Sequence, residues 1–172
     1  VASFQLDELI IIDHGEFNLY QIEYELTRKF PDLKIRAYLQ TVCDATGIDL
    51  ILGNHPVDII LHAAAYKHVP LLESQPMVGL YNNVKGAQVM ADLAILHKVK
   101  QFILVSTDKA VNPTNVMGAS KRIAEIYCQN LNQSAKTNFL TVRFGNVLGS
   151  AGSVLPLFRK QLEAGGPLTV TD

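Results

Sequence analysis

The chain has 172 residues, enough for one domain, since a single core typically serves about 100–200 residues. Apolar residues make up 48% and charged residues 18%, so the chain can bury a core and is not a disordered tail. Lys and Arg total 15 against 16 Asp and Glu. The resulting net charge of -1 gives no positive field to hold a polyanion, so we expect no nucleic-acid partner.

Cysteine usage and apolar run length limit the cellular context. Cys43 and Cys128 are too few for a disulfide scaffold and have no His or Cys at zinc-ligand spacing, so we expect a reducing compartment and no metal site. The longest apolar stretches fall well short of the ~20 residues that would span a bilayer, so we expect no membrane-crossing segment within the chain. The sequence begins at Val1 without Met and stops at Asp172 after an extended run, which predicts a chain truncated at both ends.

Hydrophobic periodicity predicts strands and helices in alternation. The first strand is a branched apolar run at 9–13, and a helix with apolar residues at helical spacing follows from about Phe17. The later elements are strands at 34–39, 58–62, 101–106 and 139–144, and helices at 45–53, about 76–98, about 115–133 and 154–164.

Strands that are apolar on both faces and separated by amphipathic helices predict a parallel sheet covered by helices on both sides. In such sheets, ligands bind beyond the carboxyl ends of the strands. The segments to consider are therefore 13–14, 41–42, 63–68, 106–109 and 145–152.

Asp13 ends the first predicted strand. A carboxylate there can accept hydrogen bonds from both hydroxyls of an adenine ribose and repel a 2′-phosphate, which favours NAD over NADP. The alternative is a helix N-cap for the segment beginning near Phe17, and the sequence leaves both roles open. The glycine-rich phosphate loop that should precede this carboxylate by ~20 residues is absent, because only 12 residues stand before Asp13.

A glycine-rich turn at 145–152 follows the last predicted strand, but its spacing differs from G-x-G-x-x-G. Asn146, Ser150 and Ser153 offer donors around this turn, so we interpret it as a contact for a second phosphate-bearing ligand opposite the cofactor. The alternative is an ordinary flexible strand-to-helix turn.

Residues 106–109 (Ser-Thr-Asp-Lys) directly follow another predicted strand. An acid beside a base can serve an elimination, in which one protonates a leaving hydroxyl and the other removes a proton from carbon. Lys109 must be neutral for that role, a state that burial or the nearby Lys121 favours. The alternative is a solvent-facing Asp108–Lys109 pair.

His62 and His68 flank a stretch of three alanines, where a flat group can lie close to the backbone and Lys67 can reach a phosphate or ribose. We assign neither histidine a proton-transfer role, since a lone histidine is more often a packed or capping residue. Asn83 fits either a buried helix hydrogen bond or a cofactor contact.

Four blocks of the sequence, 62–70, 106–110, 112–121 and 143–156, resemble the extended short-chain dehydrogenase/reductase superfamily. Within it they are similar to the nucleotide-sugar 4,6-dehydratases of capsular-polysaccharide and flagellin glycosylation. The resemblance implies a Rossmann-like parallel sheet with helices on both faces. Residues 1–145 would form a partial NAD(P)-binding domain and residues 146–172 the start of the nucleotide-sugar-binding region, with the first strand, its glycine loop and most of the substrate domain outside the chain.

The resemblance also implies an activity. It points to a UDP-N-acetylglucosamine 4,6-dehydratase of surface-polysaccharide biosynthesis that inverts carbon 5 through transient reduction of NAD(P). By resemblance Lys109 is the base at carbon 5, Asp108 the acid for the departing 6-hydroxyl, and Thr107 a hydrogen-bond partner of the sugar. Retaining relatives have Glu at the position of Lys109. The rivals are a nucleotide-sugar 4-epimerase, which needs no acid–base pair for dehydration, and a non-catalytic binding or scaffold protein on the same fold.

Superfamily members usually carry Tyr-x-x-x-Lys, whereas this chain has Met117 and Lys121. By resemblance Lys121 keeps its role at the nicotinamide ribose. The thioether cannot ionise, so the 4-hydroxyl proton needs another acceptor, which we predict to be Asp108, directly or through a water. The long membrane-anchored dehydratases also have Met here. This similarity predicts membrane helices ahead of Val1 and a location on the cytoplasmic face of a bacterial membrane.

The resemblance assigns three sets of site residues. The catalytic set is Thr107, Asp108, Lys109, Met117 and Lys121. The cofactor set is Asp13, His14, Val42, Ala63, Ala64, Lys67, Asn83, Ser106 and Lys121. The substrate set is Lys67, Asn146, Ser150 and Val154.

The cofactor expected from the resemblance is NAD, with NADP as the alternative, and the expected partner is a UDP-sugar. Thr41 stands where relatives often have Asp, which weakens an adenine contact there. A homo-oligomer is expected through the helices at 76–98 and 115–133. We also expect that the isolated 172-residue chain does not turn over sugar nucleotide.

Overall fold

The structure is a computed structural model that describes residues 1–147 and 154–169, with the backbone alone for 154–157. Every predicted strand and helix is present, and α3 and two short turns are added. The elements are β1 (Glu8–Asp13), α1 (Glu16–Lys29), β2 (Lys34–Leu39), α2 (Ala45–Asn54), β3 (Ile59–His62), α3 (Val69–Ser74), α4 (Pro76–Leu80), a π-helical turn (Tyr81–Lys85), α5 (Gly86–Leu96), β4 (Gln101–Thr107), a 3-10 turn (Asp108–Ala110), α6 (Val116–Leu131), β5 (Asn138–Phe144) and α7 (Val154–Glu163).

The strands pair in parallel but divide into two sheets. β1 pairs with β2 in a register that begins at Glu8 and Lys34, while β4 lies between β3 and β5 in the second sheet. Within the described residues β1 and β3 share no ladder, so the facing edge of each strand keeps backbone groups that no described strand pairs. The predicted class, a Rossmann-like arrangement of parallel strands and helices, is confirmed, with two sheets where one is predicted.

The core lies between the three-stranded sheet and helices α2, α5 and α6. Alternate residues of β4 point into it, and Phe102 and Leu104 are fully buried in a cluster that includes Ile48 of α2 and Ala124 of α6. Full burial of a large apolar side chain contributes roughly 1.5–3 kcal/mol. This packing fixes α6 against β4, and these two elements carry most of the predicted catalytic residues.

The other face of the three-stranded sheet is also apolar. Ile59, Leu61, Leu140 and Val142 are each between 41% and 52% exposed. The pattern agrees with the prediction that these strands are apolar on both faces, and it leaves an apolar surface among the described residues.

Local chemistry sets where the helices begin and end. Asp44 caps α2, because its side chain accepts hydrogen bonds from Thr46 N at 3.1 Å and Gly47 N at 3.2 Å. α5 ends at Leu96, two residues before the predicted end, because Lys98 adopts a left-handed conformation with φ 57°. None of the helices within the described residues has the length and hydropathy needed to cross a membrane.

Candidate functional site

The end of β4 forms a tight polar turn. Thr107 is the last residue of the strand, and its hydroxyl donates to Asp108 Oδ1 at 2.8 Å and accepts from Lys109 N at 3.3 Å. The backbone N–H of Lys109 also donates to Asp108 Oδ1 at 2.9 Å. Hydrogen bonds to the Thr107 hydroxyl therefore orient both Asp108 and Lys109 within the 3-10 turn.

Asp108 and Lys109, which the sequence predicts to be an acid–base pair, form an ion pair at this turn. Lys109 Nζ lies 3.2 Å from Asp108 Oδ1, and the two side chains are 37% and 57% exposed. Hydrogen bonds from Thr107 and then from Lys109 hold the pKa of Asp108 below its usual value, so the carboxylate is ionised and can accept a proton. Lys109 Nζ also lies 3.5 Å from Asn146 Oδ1, which follows β5, so the pair faces the turn predicted to contact substrate.

A glycine lets α6 approach this turn closely. A Cβ atom at Gly118 would overlap the carbonyl oxygen of Lys109 and lie 3.1 Å from its carbonyl carbon. The first turn of α6 is held from two sides, since Gly118 N donates to Asn115 Oδ1 at 2.8 Å and Val116 N donates to Glu73 Oε1 at 2.6 Å. The helix that carries Met117 and Lys121 therefore starts directly against the acid–base turn.

Lys121 is buried, unlike Asp108 and Lys109. Its exposure is 4%, and burial lowers its pKa to about 8 although the charge of Glu125 raises it. No described residue accepts a hydrogen bond from its ammonium group. A buried cation with unused donors fits a ligand that brings hydroxyl acceptors, such as a ribose. Met117, one turn earlier, is 6% exposed and offers no titratable group.

His62 ends β3 as a packed residue. It is 2% exposed, its ring stacks on Phe102 at 5.8 Å, and its Nε2 has no hydrogen-bond partner among the described residues. Burial, followed by the charge of Lys121, lowers the pKa of His62 to about 3. The imidazole is therefore neutral at physiological pH.

Asn83 supports the turn after β3. Its Oδ1 accepts from Tyr66 N at 2.7 Å, and its Nδ2 donates to Tyr66 O at 3.0 Å and to Ser120 Oγ at 3.0 Å. Of the two roles that the sequence leaves open, the structural one is observed. The Asn83 side chain is 0% exposed and bonds to protein at both ends, and its role as a direct cofactor contact stays a prediction.

The ends of β1 and β3 meet at the same edge. Asp13 Oδ1 accepts from Gly15 N at 2.6 Å, and Gly15 occupies the N-cap position of α1 without a side-chain cap. Asp13 is therefore not the N-cap of α1, and its contact with a ribose stays a prediction. The His14 ring lies edge-on to Tyr66 at 6.0 Å, which brings the turn after β1 against the turn after β3.

The other predicted cofactor residues differ in exposure. Ala63 and Lys67 are exposed and Ala64 is half-buried, whereas Val42 and Ser106 are buried. Two predicted substrate contacts fall outside the part of the chain that is described: Ser150 lies within the undescribed stretch, and Val154 begins α7 with only its backbone described.

Two cavities flank Tyr66, away from the acid–base pair. The larger, about 460 Å³, is lined by Thr41, Cys43, Tyr66, Met77, Val78, Tyr81 and Asn82. The smaller, about 380 Å³, is lined by Ala65, Tyr66, Lys67, His68, Leu71, Leu72, Gln75 and Val78. Asp108 and Lys109 line neither of these cavities, and their side chains are 57% and 37% exposed, so the pair lies at the open surface beyond the end of β4.

One residue near the site was missed by the sequence reasoning. Glu125 is fully buried and pairs with Arg143 and Arg122 behind Lys121. The available signal was its position four residues after Lys121, which places both side chains on one face of a helix.

The parallel strands, with polar residues gathered at their carboxyl ends, define a Rossmann-like α/β domain. A family model described as polysaccharide biosynthesis protein matches residues 1–172, and the chain belongs to that family.

Three curated relatives cover this chain almost completely. The capsular polysaccharide biosynthesis protein CapD of Staphylococcus aureus is 45% identical over 99% of this chain and 29% of its own length. A UDP-N-acetylglucosamine 4,6-dehydratase (inverting) of Campylobacter jejuni is 34% identical over 100% of this chain and 51% of its own length. A UDP-glucose 4-epimerase of Rickettsia massiliae is 40% identical over 100% and 52%. The chain thus spans between about a third and a half of these proteins.

Solved structures show the same fold. Pen from Bacillus thuringiensis superposes with a TM-score of 0.86 at 33% identity, over 96% of this chain and 50% of that one. DesIV, a dTDP-glucose 4,6-dehydratase from Streptomyces venezuelae with NAD and DAU bound, superposes with a TM-score of 0.80 over 96% and 55%. At 22% identity, this match shows a likeness of fold alone.

Proposed function

We propose that this chain provides the acid–base residues and part of the cofactor site of an NAD-dependent UDP-N-acetylglucosamine 4,6-dehydratase that inverts carbon 5 in surface-polysaccharide biosynthesis. The observation that carries the proposal is the Asp108–Lys109 pair, 3.2 Å apart at the end of β4. The relatives from S. aureus and C. jejuni support it. A 4-epimerase needs no such pair.

The strand-end residues fit a dinucleotide. Lys121 would hold one ribose through its buried ammonium, and Asp13 would accept a hydrogen bond from the other ribose, since Gly15 N occupies only one of its oxygens. Bound NAD would take a hydride from the sugar and return it later in the same turnover. The carboxylate of Asp13 favours NAD over NADP.

The chain's own residues would move the protons. Ionised Asp108 accepts the proton of the 4-hydroxyl and later gives it to the 6-hydroxyl, which leaves as water. Lys109 would act as the base that removes the proton from carbon 5, and a solvent proton delivered to the opposite face of that carbon, as the hydride returns to carbon 6, would complete the inversion. Thr107 would donate a hydrogen bond to the sugar, and Asn146 would hold Lys109 towards it.

The test uses the longer natural protein that contains this chain, incubated with UDP-N-acetylglucosamine and followed by NMR. We expect a 4-keto-6-deoxy product. Asp108→Asn and Lys109→Gln should each lower kcat by about 10²–10⁴, the usual contribution of a general acid or base. Asp58→Asn is the matched control, because Asp58 pairs with Lys100 at 2.7 Å beside the opposite end of β4; its kcat should not change.

Other outcomes would contradict the proposal. A 4-epimer without keto product, as the name of the Rickettsia relative suggests, would make the protein an epimerase. The absence of any turnover would favour a scaffold role. If Asp108→Asn still oxidised carbon 4 in a single turnover, Asp108 would not be the acceptor of the hydroxyl proton.

We further propose that the protein acts as a homo-oligomer on the cytoplasmic face of a bacterial membrane. The oligomer is supported by exposed apolar side chains within the segment predicted to join the subunits, among them Met77 of α4 at 73% and Tyr81 of the π-helical turn at 61%. The location is supported by Met117, through the resemblance to membrane-anchored dehydratases. We expect the isolated chain to be inactive, because the described residues leave the edges of β1 and β3 unpaired.

A further inference from the structure

One buried carboxylate lies among three cations. Glu125 is 0% exposed and follows Lys121 by one turn of α6. Arg143 of β5 donates to it twice, from Nε to Oε1 at 2.8 Å and from Nη2 to Oε2 at 2.5 Å, and Arg122 Nη1 donates to Oε2 at 3.1 Å. The side chains of Arg143 and Arg122 are 35% and 37% exposed, so water screens their charges more than that of Lys121.

A role in stability alone does not account for this charge. Buried ion pairs often stabilise a fold no more than apolar residues of the same volume, because desolvation offsets the attraction. Burial raises the pKa of Glu125, but hydrogen bonds led by that from Arg143 outweigh burial and bring the pKa to about 2. The Glu125 carboxylate is therefore ionised at physiological pH, one helical turn from Lys121.

Among the described titratable groups that face Lys121, Glu125 supplies the negative charge. On β3, His62 is neutral, with a pKa of about 3. On α6, burial raises the pKa of the Cys128 thiol to about 11, so this group is neutral as well. Arg143 on β5 and Arg122 on α6 reach the cluster through Glu125 and add positive charge. Without Glu125, three cations would face one another.

We propose that Glu125 is a positioning residue that keeps Lys121 in its ammonium form, with Arg143 and Arg122 holding the carboxylate in place. In the proposed function, the ammonium group donates charge-assisted hydrogen bonds to the cofactor ribose, and the inference rests on the proposed function in this respect alone. Arg143 also lies opposite Ser106 in the β4–β5 ladder, so the same ion pair ties α6 to the strand that leads to Asn146.

The test follows the ionisation of Lys121 directly. The longer natural protein that contains this chain is labelled with [ε-¹³C]lysine, and the Lys121 resonance, assigned with Lys121→Arg, is titrated by NMR. Glu125→Gln should lower the titration midpoint by about one pH unit or more, a tenfold loss of proton affinity. Arg143→Gln should raise it, because one of the competing cations is gone. The opposite signs keep the inference testable even if Glu125→Gln does not fold.

Glu73→Gln is the matched control. Glu73 also bonds α6, through Val116 N at 2.6 Å, but it does not face Lys121, so removing its charge should leave the midpoint unchanged. Glu125→Asp keeps the charge and should restore the wild-type midpoint. An unchanged midpoint in Glu125→Gln, or a downward shift in Arg143→Gln, would overturn the inference.

A second readout separates this inference from the proposed function. In the longer protein, Glu125→Gln should move the alkaline limb of kcat/KM to lower pH, because Lys121 loses its proton earlier. If the Lys121 midpoint shifts as expected while calorimetry detects no NAD binding to the wild-type longer protein, the proposed function fails and the role of Glu125 stands. If NAD binds but the midpoint does not move, Glu125 is only a structural partner of Arg143.

Discussion

Replacing Gly118 with alanine tests how closely α6 must approach the acid–base turn. The new Cβ would overlap the backbone carbonyl of Lys109 and meet a Pro113 carbon at 3.4 Å, and a backbone group cannot rotate away as a side chain can. Overpacking of this kind costs typically 1–3 kcal/mol, while replacing glycine inside a helix returns about 1 kcal/mol. We therefore expect a net loss of up to about 2 kcal/mol, with α6 or the 3-10 turn displaced.

The control is a helical glycine without such a neighbour. A Cβ at Gly53 of α2 would meet only His97 Cε1, at 3.7 Å, which is ordinary contact, so Gly53→Ala should stabilise the chain by about 0.5–1 kcal/mol. Urea unfolding of both variants measures the difference, since the midpoint shifts at constant m-value. If Gly118→Ala gained as much stability as Gly53→Ala, the close contact between α6 and Lys109 would not exist.

Three further predictions concern buried or capping residues. In the native state His62 has a pKa of about 3, well below the value of about 6.5 in the unfolded chain. Between these two values only the unfolded chain binds the proton, so the free energy of unfolding falls by about 1.4 kcal/mol for each pH unit that the pH drops. His62→Gln should lack this part of the slope in urea titrations between about pH 7.5 and 5. Asn83→Ala should cost about 3 kcal/mol or more in the same assay, because it leaves several buried partners unpaired, and a loss below about 1 kcal/mol would contradict the hydrogen bonds described. Asp44→Ala removes the cap from Thr46 N and Gly47 N and should lower the free energy of unfolding by about 1 kcal/mol, whereas Asp44→Asn should lower it by only a few tenths of a kcal/mol. Equal losses in the two variants would indicate that the charge of Asp44, rather than its capping hydrogen bonds, matters.

The sequence was most informative where local periodicity decides the structure. The apolar run at 9–13 and the amphipathic spacing after Phe17 became β1 and α1, because side-chain period and backbone geometry are linked within a single element. The position of Asp108 and Lys109 after β4 was predictable for the same reason. The six-residue helix α3 escaped prediction, since its length is too short for a helical period to show.

Contacts between distant segments were not predictable from one sequence. Asn83 fitted two roles until the fold placed it beside Tyr66, 17 residues away, and Ser120, 37 residues away. The sequence analysis assigned no role to Glu125, because its partner Arg143 lies on β5, 18 residues further along the chain. The roles of both side chains depend on which groups share their buried space, and that is a property of packing between elements.

By itself, the sequence determined the order of strands and helices, the polar residues at the strand ends, the adjacent acid and base, and the resemblance to dehydratases of surface-polysaccharide synthesis. Only the tertiary structure decided that Lys121 is buried while Asp108 and Lys109 stay half exposed. It also decided that the Glu125 carboxylate lies among the positive charges of Lys121, Arg122 and Arg143. The physical reason is that periodicity and turn chemistry act over a few residues, whereas desolvation and charge pairing depend on which elements meet in space.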